Sequence, residues 1–239
     1  PILVLCPRDM LWDATKACEP YLKNGQILEL ADYGMGSLST NADVYAKIFR
    51  EFLDGPANDP SELPIPLSAP LVSKNRPRKV SRAFVDTSAG QVHCRIAGEG
   101  KIGKCPVVCL HMSPVSSRNF EALLTELSQD RIAIAFDIPG FGESDAPESE
   151  PSIGDLGRTI VLALEKLGVS GPIDLVGDHT GAVIAVDIAV SYPNLVRTLA
   201  LNPLPSFTEK ERRERLSHAV AGFWSEDGGH LREHWARIN

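Results

Sequence analysis

The sequence predicts an α/β fold: a mostly parallel, doubly wound sheet of about eight strands with helices on both faces. Three observations carry this. Short continuous apolar runs recur along the chain, as in strands buried on both faces. From Val107 onward these runs alternate with stripes at helical spacing, the pattern of parallel strands joined by crossover helices. Apolar residues make up 43% of 239, enough for a sizeable core.

The elements follow in order. Pro1–Cys6 (PILVLC) reads as a buried strand. Asp13 is placed to cap a short helix ending near Pro20, and Gln26–Leu30 reads as a second strand. Asn41 is placed to cap a helix through Leu53, with Val44, Ile48 and Phe52 on one face and Gly55 as its stop. Residues 55–80 are rich in proline and polar residues without a period, and read as a linker. Arg82–Thr87 and Gln91–Ala97 flank a Ser-Ala-Gly turn and suggest a hairpin. Val107–His111 is a strand, Phe120 to Leu127 a helical stripe and Ile132–Phe136 a strand. A second stripe runs through Ile153, Leu156, Ile160, Leu164 and Leu167. Ile173–Val176 is a strand, Gly181–Ser191 a small-residue helix and Thr198–Leu201 a strand. Thr208 and Glu211 make a capping box, and Glu209–Arg215 reads as a solvated helix face.

Composition narrows the partners. Twenty-four basic against 31 acidic residues give a net charge of −7, which argues against nucleic acid or an anionic membrane. No stretch approaches the roughly 18 apolar residues of a membrane span. Pro1–Trp12 lacks a basic n-region and a small-residue cleavage site, so no signal peptide and a cytoplasmic location are expected. The chain lacks an initiating Met, a hint that residue 1 is not the natural start. The five cysteines are expected to be reduced. Cys105 and Cys109, four apart on a predicted strand, are roughly 13 Å apart, too far for a disulfide.

In a doubly wound sheet, chemistry collects at the carboxyl ends of strands. Gly177-Asp178-His179-Thr180-Gly181 lies between a strand and a small-residue helix, in the G-x-X-x-G frame of a nucleophile elbow with His179 at the apex. Sliding the frame to put Asp178 at the apex places Thr180 where a glycine is wanted. His111-Met112-Ser113-Pro114 follows the strand ending at Leu110 and is similar to an HG-x-P turn that supplies an oxyanion amide. Asp137-Ile138-Pro139-Gly140-Phe141-Gly142-Glu143-Ser144 reads as a structural turn. His230-Leu231-Arg232-Glu233-His234 matches a zinc pattern but lacks a third ligand, so no metal is expected. Phe223, Trp224 and Trp235 read as packing beneath a lid.

With these motifs in place, residues 81–205 resemble the first six strands of the α/β-hydrolase fold superfamily, and residues 206–239 resemble the start of its lid. Residues 1–54 resemble the last two strands and last helix of the same fold, so the order is rotated. Two explanations stand: a circular permutant, or a slice of a tandem array. The linker, at most about 80 Å when extended, spans the sheet in either case. Residues 1–205 are expected to pack as one sheet.

The resemblance also exposes departures. Laid on Pro1–Asp13 without a gap, the triad's acid position falls on Met10, with Asp9 one residue before it. The base position falls on Met35, between Gly34 and Gly36. Methionine neither takes nor gives a proton, so the triad reads as degenerate. The resemblance then implies a cofactor-free hydrolase of a small apolar ester or related substrate. His179 would act as general base for water or, rarely, as a covalent nucleophile, its ordinary pKa of about 6.5 suiting a base. Asp178 would orient its neighbours, and the Ser113 and Thr180 amides would form the oxyanion hole. His111 would anchor its loop, and with Met112 would border the pocket. The alternatives are a non-catalytic small-molecule binding protein on the same fold and a cofactor-free lyase or oxygenase. Exposed strand edges favour self-association.

Overall fold

The computed structural model describes residues 1–34, 36–55, 80–101, 103–220, 227, 229 and 232. Met35, most of the linker, His230, His234, Phe223, Trp224 and Trp235 lie outside the described residues.

Residues Pro1–Pro205 form one compact unit and Ser206–Asn239 a second. The first holds eight strands: β1 (Ile2–Pro7), β2 (Gly25–Leu30), β3 (Ser81–Thr87), β4 (Gly90–Ala97), β5 (Val107–Leu110), β6 (Ala133–Phe136), β7 (Ile173–Asp178) and β8 (Val196–Asn202). They form one sheet in the order β2-β1-β8-β7-β5-β6-β4-β3. The pairs β1–β2, β1–β8, β7–β8, β5–β7 and β5–β6 are parallel, whereas β4 runs antiparallel to both β6 and β3. This is the mostly parallel, eight-stranded α/β sheet that the sequence predicts.

Strand alternation builds two cores, one on each face. Val108, Leu110, Ile134, Phe136, Leu175 and Leu201 point to one face. There they meet Ile160 and Leu164 of α5 (Ile153–Lys166) and Ile184 and Ile188 of α6 (Thr180–Ser191). Leu3, Leu5, Cys109, Ala135, Val176 and Ala200 point to the other. That face is covered by α3 (Ala42–Leu53) and α4 (Glu121–Leu127), with Phe49 and Leu124 buried in the same cluster. The short helices α1 (Trp12–Lys16) and α2 (Ser37–Thr40) sit in loops of this unit.

Several local expectations are corrected. The buried face of α3 is Tyr45, Ala46, Phe49 and Leu53, with Val44, Ile48 and Phe52 only half-buried at its flank. An aromatic-rich face outweighs the aliphatic one in the choice of side to bury. Asn41 occupies the N-cap of α3 without a capping side-chain bond, since its Oδ1 accepts from Thr40 Oγ1 at 3.0 Å. Asp13 sits in the first turn of α1 rather than at its cap, which is Leu11. Cys105 precedes β5 rather than lying on it, and the five cysteines are buried, none of them paired in a disulfide among the described residues. In the second unit, α7 (Glu209–Val220) begins with the expected capping box, Thr208 N–H donating to Glu211 Oε2 at 2.8 Å. No helix among the described residues is long and apolar enough to cross a membrane.

The amino edge of the sheet carries an ionic network built around the buried Arg131 and Asp174. Arg131, fully buried, donates to both oxygens of Asp54 at 2.8–2.9 Å and to Asp130 at 2.9–3.0 Å. Lys104 lies 2.7 Å from Asp54, and Arg197 bonds Asp174. Because Asp54 ends α3 while Arg131 and Arg197 lie in the later segment, the network ties residues 1–54 to the rest of the sheet.

Candidate active site

The chain leaves β5 toward β6 and leaves β7 toward β8, in opposite directions, so a crevice opens at the carboxyl ends of β5 and β7. His111–Ser113 follow the first of these strands and Asp178–Thr180 the second. The β7–α6 connection is too tight for ordinary residues at its flanks. A Cβ at Gly177 would meet Ala182 Cα at 2.5 Å, and one at Gly181 would meet the Leu110 carbonyl oxygen at 2.0 Å. Between them His179 has φ +49° and ψ −108°, the one non-glycine residue with positive φ among the described residues. Such backbone strain persists where surrounding structure holds it, and it clusters at functional sites.

The surroundings of the His179 ring are ionic. Nδ1 lies 3.0 Å from Asp178 Oδ1, and Nε2 lies 3.4 Å from Asp9 Oδ2. Both carboxylates are nearly inaccessible, at 4% and 1% side-chain exposure, against 13% for His179. Burial alone would lower the imidazole pKa, but Asp178 and Asp9 on its two nitrogens raise it to about 9. Burial pushes Asp178 above the usual carboxylate range. The two carboxylates thus favour the protonated ring, whereas the sequence expectation starts from an unshifted histidine near 6.5. The two carboxylates flank opposite nitrogens, so they serve a proton rather than converge on a metal. Among the described residues no group of three or more ligands suits a metal ion.

Asp9 reaches the ring because the chain turns sharply after β1. Its Oδ1 accepts the Leu11 N–H at 2.8 Å, which leaves Oδ2 facing His179. Met10, on which the gap-free register lays the acid position, points outward with 66% exposure. The acidic side chain at this strand end is thus its neighbour. Asn202, absent from the sequence reading, completes the cluster. It ends β8 opposite Asp178, donates from Nδ2 to Asp178 Oδ1 at 3.3 Å, and accepts the His179 N–H on its carbonyl at 3.0 Å. The only sequence signal for it is a polar residue ending an apolar strand before Pro203.

The other expected residues occupy supporting places. His111 is buried; its Nδ1 donates to the Met112 carbonyl at 2.8 Å and its Nε2 accepts the Ile138 N–H at 3.0 Å. Burial lowers its pKa, in keeping with a neutral ring whose two nitrogens are both used to join two loops. The Ser113 N–H is aimed at Thr180 Oγ1, 3.4 Å away, so this amide is already partly engaged. A shallow groove of about 480 Å³ begins beside it, lined by Ser39, Val115, Ser116, Arg118, Asn119 and Gly142. Asp137 accepts N–H bonds from Ser117 at 2.6 Å and Glu143 at 2.8 Å and pairs with His93 Nδ1 at 2.9 Å, so its motif shapes the turn. Burial raises the thiols of Cys6, Cys94 and Cys105 to about 11–12, well away from a nucleophilic thiolate.

Comparison with known proteins agrees with this architecture. Over 148 residues the chain is 30% identical to proline iminopeptidase of Clostridium botulinum, covering 59% of this chain and 50% of that protein. Over 145 residues it is 31% identical to epoxide hydrolase 4 of Mus musculus, covering 59% and 40%. The chain thus spans about half the length of the curated relatives it matches. The crystal structure of Cfl2 from Burkholderia cenocepacia superposes with a TM-score of 0.54 at 22% identity, over 68% of this chain and 58% of that one, a likeness of fold. The model of the alpha/beta hydrolase fold family matches residues 106–227, from β5 through the corner that carries His179, and the chain belongs to that family.

Proposed function

We propose that the chain is the core of a cofactor-free hydrolase that attacks a small apolar ester, or a related substrate, with an activated water. The observation that carries this is the buried Asp9–His179–Asp178 cluster on the strained corner at the sheet's switch point. In this reading the apex of an elbow, where the family frame places a nucleophile, holds a proton donor. The Asp9 carboxylate takes a proton from water as the water oxygen bonds to the ester carbonyl carbon. The ester C–O bond breaks, and the departing alkoxide takes the Nε2 proton of His179. Asp9 then returns its proton to Nε2, and acid and alcohol leave. Asp178 and the Thr180 and Ser113 amides stabilise this cycle by orientation and by hydrogen bonds to the developing oxyanion. Relatives named for a peptidase and an epoxide hydrolase agree with hydrolysis as the reaction class and leave the bond open.

A second reading, a binding protein on the same fold, draws on the partly engaged Ser113 amide. Purified protein assayed on an ester panel separates the two. The hydrolase reading expects His179→Ala and Asp9→Asn each to reduce kcat by about 10²–10⁴-fold. Equal hydrolysis with and without His179 rules this mechanism out, and ligand binding without hydrolysis in the unaltered chain favours the second reading.

A further inference from the structure

We propose that Asn202 is a positioning residue of this site and that, with Asp9 and His179, it holds the single water that attacks the substrate. The inference rests on the water-activating reading above and goes beyond it by assigning the water a place and a third partner. β8 lies between β7 and β1 in the sheet, so the strand that ends at Asn202 runs between the strand that leads to His179 and the strand that leads to Asp9. The orientation of its amide is fixed chemically. Asp178 Oδ1 accepts hydrogen bonds, so the group 3.3 Å away must be the NH₂, and Oδ1 is left over.

The buried side-chain atoms without a hydrogen-bond partner among the described residues include Asn202 Oδ1, Asp9 Oδ2 and His179 Nε2, and His93 Nε2 further along the same edge. His179 Nε2 and Asp9 Oδ2 face each other at 3.4 Å, close enough for an ion pair and long for a hydrogen bond. Buried polar atoms are almost always satisfied, and the first three belong to residues linked through Asp178 and His179, so a common partner accounts for them. Their chemistry specifies it. Two are acceptors, and the third is a donor in the imidazolium. One water supplies two O–H donors and a lone pair, which satisfies all three within the usual two to four bonds of a buried water. Its second lone pair remains to attack carbon. Asn202 Oδ1 thereby aims the water, and Asp9 Oδ2 accepts the proton that leaves it.

The test combines two measurements on the full chain. Asn202→Leu keeps the size and removes both polar atoms. Asn202→Asp, when protonated beside two carboxylates, keeps a donor for Asp178 and an acceptor for the water. The expected result is a kcat loss on the order of 100-fold in Asn202→Leu, with KM unchanged within about threefold. Recovery in Asn202→Asp to within about tenfold of the unaltered chain is expected, and should fade as pH rises and the new carboxyl ionises. A kcat within threefold of the unaltered chain in Asn202→Leu, while Asp9→Asn is inactive, overturns the role of Asn202 and leaves the hydrolase reading standing. If Asp9→Asn retains full activity, or the unaltered chain hydrolyses nothing, the hydrolase reading fails. A crystal structure of the unaltered chain at about 1.5 Å then decides the water site, and also decides it if Asn202→Leu does not fold. An ordered water within hydrogen-bond distance of Asn202 Oδ1 and Asp9 Oδ2 supports the site, and no water there overturns it.

Discussion

At the amino edge of the sheet Arg50, Lys104, Arg131 and Arg197 meet Asp54, Asp130 and Asp174, four cations against three anions. At the carboxyl edge His179 alone faces Asp9 and Asp178. The amino-edge groups bond in multiples, as with Arg131 on both oxygens of Asp54, and Thr198 Oγ1 adds a bond to Asp174 at 2.7 Å, with Arg131 Nη1 alone left 4.0 Å from Asp174 without a hydrogen bond among the described residues. The carboxyl-edge cluster leaves three polar atoms without partners and holds its histidine at a backbone angle that side chains rarely adopt. The first arrangement fastens segments together. The second keeps charge unbalanced in a low-dielectric place, which is how a fold prepares groups for proton transfer at some cost in stability.

Mutations at the two edges should therefore fail in different assays. The largest expected effect is on activity: His179→Ala removes about 10²–10⁴-fold in kcat, whereas Arg131→Met leaves the kcat of the folded fraction nearly unchanged. Next, Arg131→Met removes four charge-assisted hydrogen bonds to the half-buried Asp54 and Asp130 and should cost about 3 kcal/mol or more, read as a fall in the urea midpoint. Comparable kinetic losses from both variants would break the comparison.

A smaller effect follows from pH. The folded pKa of His179 is raised from 6.5 to about 9, so its contribution to stability is complete below pH 6.5 and lost as pH climbs through about 9. A shift of that size corresponds to roughly 3 kcal/mol across this window. Urea unfolding from pH 6 to 9.5 should show the decline in the unaltered chain and a flatter profile in His179→Ala. The smallest expected effect sharpens the assignment of the acid. Met10→Ala, at an exposed position, should change stability by less than about 0.5 kcal/mol and leave kcat intact, while Asp9→Asn lowers kcat by about 10²–10⁴-fold.

Much of the fold was legible because burial on both faces writes continuous apolar runs such as VVCL and ILVLC into the chain. The corner was legible too, since Gly177 and Gly181 are fixed by backbone contacts that exclude any side chain. Three features were not. The face of α3 was misplaced because Val44, Ile48 and Phe52 and the stripe through Tyr45 and Phe49 both have helical spacing, and packing chooses between them. Asp9 and Met10 are adjacent, and only the turn after β1 decides which faces inward. Arg131 and Asn202 carry no local motif: their partners Asp54 and Asp178 lie 77 and 24 residues away.

The most direct test of this account is an NMR titration of the His179 imidazole, assigned by comparison with His179→Ala. The account predicts a ring that stays protonated through pH 7 and 8 and titrates near pH 9. A ring that titrates at or below pH 6.5 would contradict it, because the two carboxylates would then not hold the proton on which the proposed chemistry depends.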